Sequence, residues 1–174
     1  YITLDDKGRL LIPARLRHAL SGDALYVTRG LENCLWLMLP EDFEQLKNTI
    51  INGPHSMFDR RLRILQRGMI APAQLCEFDK AGRINIPASL RESVQLLLKE
   101  ESVLLGAGNY LELWNKEAYE SYLEASMDEF LDAARDETNW NKAKTIFTAM
   151  GGFSLPLLLE LLLKYVREQI GIPG

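Results

Sequence analysis

DDKGRLLIPARLR, residues 5–17, returns at residues 79–91 as DKAGRINIPASLR, aligned without a gap at an offset of 74. Asp5, Gly8, Arg9, Ile12, Pro13, Ala14, Leu16 and Arg17 meet the same residue types at Asp79, Gly82, Arg83, Ile86, Pro87, Ala88, Leu90 and Arg91. Such self-similarity marks one supersecondary unit used twice. At 174 residues and 47% hydrophobic, the chain can bury a core as one compact domain or as two halves sharing one.

Outward from the repeat, YITL at 1–4 is β-branched and aromatic and predicts the end of a strand. Gly8 supplies the positive φ of a tight hairpin turn with a bulge, and the Asp5 side chain is placed to accept from the turn amides. The next strand alternates, with Leu10 and Ile12 on one side and Arg9 and Leu11 on the other. Asn85 stands where the first copy has Leu11, so the face bearing Arg9 and Arg83 is expected to be wet. Pro13 and Pro87 keep the preceding isoleucine extended and suit the first turn of a helix. Leu16, Ala19 and Leu20 give the first helix its apolar stripe, while Leu90, Val94, Leu97 and Leu98 predict a longer one in the second.

Each half continues with a hairpin, ALYVTRG (24–30) with CLWLML (34–39) and SVLLGAG (102–108) with YLELW (110–114). A helix follows each, PEDFEQLKNTI at 40–50 and one opening on Asn115 as N-cap. Gly106-Ala107-Gly108 leads into a strand, so it reads as a hairpin turn and not as a phosphate cradle. The pattern is α+β: strand, turn, strand, short helix, hairpin, helix, twice over. Between the halves, helical spacing over 55–69 puts Arg60, Arg63 and Arg67 on one face, a basic stripe whose plainer reading is a solvated or salt-bridged connector. Farther on, SLPLLLELLLKYVREQI (154–170) carries leucines around most of a helix and must be covered by a core or another subunit. The expected divisions are a first module at 1–53, an arginine-rich connecting helix at 54–73, a second module at 74–136 and an extension at 137–174.

The formal net charge of −4 argues against coating nucleic acid by bulk attraction. Its distribution is uneven: residues 1–75 hold ten Lys/Arg against eight Asp/Glu, and residues 76–174 ten against sixteen. An anionic partner would face the first half. There Lys7, the Gly8 backbone and Arg9 form a cationic tip backed by Arg15 and Arg17. Two-stranded ribbons fit the major groove, and an arginine fork can hold guanine or clamp phosphate. Asp5 and Asp6 partly offset that charge, and an Asp–Arg pair that merely stabilises the turn is the competing use of the same residues. Cys34, Cys76, His18 and His55 match no metal-ligand or CxxC spacing, so reduced thiols without metal or cofactor are expected. No base beside a nucleophile and no carboxylate pair is recognisable, which points away from an enzyme. With no charged-then-apolar leader and no run of about eighteen apolar residues, the expectation is a cytoplasmic protein outside the membrane.

The two repeat copies, with TRGLENCLWL (28–37), DRRLRILQRGM (59–69) and NYLELWNKEAYESYL (109–123) in this order, resemble MraZ, a bacterial regulator family of two tandem AbrB-like modules. The resemblance runs from Tyr1 to about Asp136. It implies two pseudo-symmetric swapped-hairpin modules interleaved into a β-barrel core with peripheral helices. It also implies a sequence-specific DNA-binding transcriptional regulator, nucleoid-associated, acting on short direct repeats in the promoter of a division and cell-wall gene cluster. The partners so implied are double-stranded DNA and further copies of the chain in a ring-shaped homo-oligomer. On the family's pattern the DxxGR turn of the first module meets DNA, which carries over to Asp5 through Arg9, with Lys7 and Arg9 as contacting side chains. Lys80 and Arg83 carry over less fully, because Ala81 replaces Lys7 and Ser89 replaces Arg15. From Thr138 onward the chain departs from the family pattern.

That departure supports a rival reading: an AbrB-like antitoxin or interaction protein whose C-terminal helix, opened by Leu155 and closed by Ile170, holds a protein partner. A purely structural ring is the third reading, favoured by the acidic second half. Deleting residues 151–174 separates the first two. DNA affinity in a mobility-shift assay is expected to survive the deletion, and loss of a bound protein partner alongside it would support the antitoxin-like reading.

Overall fold

The computed structural model describes residues 1–20, 22–51 and 59–127. His55, the leucine-rich segment 154–170 and the far end of the helix expected after Asn115 lie outside the described residues. The chain divides after Ser121 into two units, and the first, 1–121, holds every described strand. Its elements in order are β1 (Ile2–Thr3), β2 (Arg9–Leu11), α1 (Ala14–Ala19), β3 (Ala24–Arg29), β4 (Cys34–Met38) and α2 (Pro40–Ile51). Then come α3 (Arg60–Leu65), continued by a π-helical turn over Gln66–Ile70, β5 (Gln74–Glu77), β6 (Arg83–Asn85), α4 (Ala88–Ser93), β7 (Glu101–Gly106) and β8 (Tyr110–Asn115). α5 (Lys116–Ala125) runs across the division.

The two halves exchange strands. One antiparallel sheet has the order β1-β7-β8-β4-β3-β5, and β2 and β6 form a separate two-stranded ribbon. β1 leaves its own half to lie on β7, with Ile2 opposite Ser102, and β5 reciprocally lies on β3, with Cys76 opposite Leu25. The two hairpins meet at the centre, β4 against β8, with Leu35 opposite Leu113 and Leu37 opposite Leu111. In the ribbon Leu10 faces Ile84 directly. The arms of each repeat turn therefore do not continue as an ordinary hairpin; they separate and pair with the other half.

Alternation explains which residues that exchange buries. Leu10 with Ile84, Ile12 with Ile86 and Leu20 with Val94, each pair 74 apart, join Leu25, Val27, Leu35, Leu37, Leu90, Leu111 and Leu113 in one core, and Leu16, the counterpart of Leu90, packs against it half-buried. Leu11 and Asn85, on the other side of the ribbon, are exposed. On the opposite face of the large sheet, Phe43 of α2 stacks on Tyr26 at 4.1 Å and Tyr119 of α5 meets Trp114 edge-on at 5.6 Å. The Thr28 hydroxyl donates to the Met69 carbonyl and pins the π-helical turn to β3. Asn115 accepts from the Ala118 amide at 3.1 Å, the N-cap its position predicts.

The second short helix is no longer than the first. α4 stops at Ser93, and Leu97 and Leu98, expected to extend its stripe, are 53% and 37% exposed. Leu96 enters the core in their place. The cause is local: Gln95 at φ 56° and Lys99 at φ 63° turn the chain back, and the Lys99 amide donates to the Leu4 carbonyl at 3.0 Å.

Truncating the ribbon tests this packing. Leu10→Ala or Ile84→Ala is expected to cost about 2–5 kcal/mol, read from urea unfolding, because each removes a fully buried side chain. Leu11→Ala, on the exposed side, should stay within about 0.5 kcal/mol of the parent.

Candidate nucleic-acid interface

Each repeat turn is closed by its own aspartate. The Asp5 amide donates to the Arg9 carbonyl and the Gly8 amide to the Asp5 carbonyl, both at 3.0 Å. Asp5 Oδ1 accepts from the amides of Lys7 and Arg9 at 2.9 Å, and Oδ2 accepts from Arg9 Nε at 2.7 Å, with Arg9 Nη2 also 2.7 Å away. Asp79 repeats the arrangement with Ala81, Arg83 and the Arg83 guanidinium. Gly8 and Gly82 both sit at φ +76°, the left-handed conformation that the turn requires. The side-chain bond from Arg9, with the two amides, draws Asp5 down from an ordinary 3.8 to about 2. Asp79 is likewise lowered, chiefly by the Arg83 amide. The pairing anticipated as the competing use of Arg9 is thus formed in both turns.

An arginine from the helix after each turn reaches the turn of the other half. A Cβ built on Gly8 would stand 3.0 Å from Arg91 Nε, and one built on Gly82 would stand 2.6 Å from Arg17 Cζ. Arg17 thus lies on the turn of the other half, and Arg91 does the same in return. Backbone bonds reinforce the crossing: the Ile86 amide donates to the Gly8 carbonyl at 2.9 Å, and the Ile12 amide to the Gly82 carbonyl at 3.2 Å. Arg91 Nε donates to the Ile86 carbonyl at 3.1 Å, whereas buried Arg17 Nε has no hydrogen-bond partner among the described residues.

The residues expected to meet a polyanion are therefore in three situations. Lys7 and Arg15, like Lys80, are exposed. Arg9 and Arg83 are half-buried and committed to aspartates. Gly8 is buried, and Arg17 is gathered with the second turn instead of the first. Arg91 was missed by the spacing argument. The signal for it was present, since Arg17 and Arg91 are identical in the two copies, as are the glycines they cover.

Farther along the large sheet, Glu32, Cys34 and Glu112 each bring one donor atom within 4.8 Å of the others. Burial first, and then the two carboxylates, pushes the Cys34 thiol up to about 12, so it is protonated at neutral pH. Burial alone raises Cys76 to about 11. Among the described residues no helix is long and apolar enough to cross a membrane.

The family model of the MraZ protein matches residues 1–63 and 69–140. The chain belongs to the MraZ family. A transcriptional regulator MraZ from Treponema denticola is 41% identical over 132 residues, which cover 76% of this chain and 90% of that protein. Its counterpart in Treponema pallidum strain Nichols is 40% identical over 127 residues, 73% of this chain and 83% of that protein. That of Halothermothrix orenii is 35% identical over 131 residues, 75% of this chain and 88% of that protein. Both aspartate-closed turns and both crossing arginines fall inside the MraZ match, which ends at residue 140.

The turn closure has a pH signature. A depressed Asp5 gives its contribution in full above the ordinary aspartate value of 3.8 and loses it as pH falls toward about 2. The amide NMR shifts of Lys7 and Arg9 are expected to titrate together with a midpoint about 2, and Asp5→Asn should abolish that transition.

Proposed function

We propose that this MraZ-family chain is a non-catalytic, sequence-specific DNA-binding transcriptional regulator. Its target would be short direct repeats in the promoter of a division and cell-wall gene cluster, and it would work in the cytoplasm at the nucleoid. In this reading residues 1–53 and 74–136 are the two modules, 54–73 joins them, 137–174 is an extension, and several copies close into a ring. The observation that carries the proposal is the first turn, closed by Asp5 on the Lys7 and Arg9 amides, with the Lys7 side chain exposed and Arg15 exposed on the helix that follows. The transcriptional-regulator names of the relatives support the same reading.

The mechanism follows from what the turn leaves available. Asp5 satisfies the turn amides in advance, so little backbone freedom remains to be lost on contact with DNA. Lys7 and Arg15 then supply phosphate contacts, while Arg9 holds the tip in shape through Asp5. One tip offers too few contacts for tight binding. Several tips on one ring would multiply weak contacts through effective concentration, which reconciles a net charge of −4 with an anionic ligand.

Lys7 is a cleaner probe of this function than Arg9, whose removal also loosens the turn. In mobility shifts on a repeat-bearing duplex, Lys7→Ala and Arg15→Ala are each expected to weaken binding several-fold and to reduce the salt slope by about one. A Lys7→Ala protein that binds like the parent at every salt concentration would overturn the role given to the first turn. Light-scattering molar mass, measured with and without that duplex, checks the ring.

A further inference from the structure

The formal charges of the first turn cancel: Asp5 and Asp6 stand against Lys7 and Arg9. The second turn, with Asp79, Lys80 and Arg83, carries one net positive charge, Lys80 occupying the place of Asp6. Arg9 and Arg83 are moreover held by their own aspartates. Exposed Lys7 and Arg15 thus carry the free charge of the first half, and the crossing adds a further cation to each turn. We propose that each turn is a composite phosphate-binding surface completed by the opposite half, with Arg91 finishing the 5–9 turn and Arg17 the 79–83 turn. This rests on the DNA-binding reading and redistributes the cations within it.

Three observations carry the assignment. Each guanidinium lies over the other half's turn glycine, with Arg91 Cζ 3.1 Å from a Cβ built on Gly8 and Arg17 Cζ 2.6 Å from one built on Gly82. A glycine there leaves the turn backbone and the arginine in direct contact. Each turn carbonyl also accepts from an amide of the opposite half, Gly8 from Ile86 and Gly82 from Ile12, which ties each tip to the half that supplies its arginine. Finally, Arg91 is half-buried and already fixed through Nε on the Ile86 carbonyl, so its charge is presented with little rotamer entropy left to lose. Lys7 and Arg91 thus flank the Gly8 backbone, and Lys80 and Arg17 flank that of Gly82.

The test is a set of double-mutant cycles on the full chain, with a repeat-bearing duplex as probe and salt as second variable. Arg91→Met and Arg17→Met keep most of the stem and remove the charge. Arg91→Met is expected to lower affinity about tenfold and the salt slope by about one, with Arg91→Lys restoring the slope. It should couple to Lys7→Ala and be additive with Lys80→Ala, while Arg17→Met shows the reverse. Unchanged affinity and slope in Arg91→Met, or coupling of Arg17 to Lys7, overturns the composite assignment even where the parent protein binds DNA well. Failure of the DNA reading itself looks different, as the parent would show no salt-dependent binding of the duplex at all. The crossed contact also has a readout without DNA. Gly82→Ala should cost less in urea unfolding when combined with Arg17→Met and gain nothing from Arg91→Met, and equal costs in both backgrounds contradict the crossing.

Discussion

The structure depends on the pairing of β2 with β6, two three-residue strands with Leu10 set against Ile84. Neither strand is long enough to stand on its own sheet, and each owes its burial to the other half. With the ribbon between the halves, β1 and β5 lie at opposite ends of the large sheet, and the hairpins share a common core. The halves are thus two copies of one sequence but not two independent folding units. The matched positions of the repeat mark where this mutual dependence is enforced: the apolar pairs 74 apart, the identical turn aspartates and glycines, and the identical arginines that cover them.

The turns inherit their rigidity from the same exchange. Each is held from within by an aspartate that collects two amides and a guanidinium, and from without by a backbone bond to the opposite half, whose arginine lies over its glycine. A short exposed loop would ordinarily be among the most mobile parts of a small protein. Here the charges that might have been offered outward are partly consumed in fixing shape. This leaves Lys7 and Arg15 in the first half, and Lys80 in the second, as the side chains presented most openly.

Much of this was legible in the sequence. The repeat announced two halves, alternation assigned Leu10 and Ile12 to the core, and Asn115 was recognisable as a cap. The crossing was not legible from local pattern, because alternation says which side of a strand is buried and is silent about which strand lies next to it. The end of α4 was misjudged for a related reason. Leu97 and Leu98 fit a helical stripe, but the left-handed turn at Gln95 involves no glycine or proline that would have marked it. Arg17 looked like part of the first turn because it follows that turn in the chain, and only the exchange of halves carries it to Gly82.

Joining the two halves in one chain has freed them to differ. Lys7 is matched by Ala81, Arg15 by Ser89 and Asp6 by Lys80, so the near two-fold of the backbone is not shared by its surface. A strictly two-fold protein reads the same in both directions along a duplex and suits inverted sites. A pair with unequal faces has a polarity, and every copy laid on DNA through the same face points the same way.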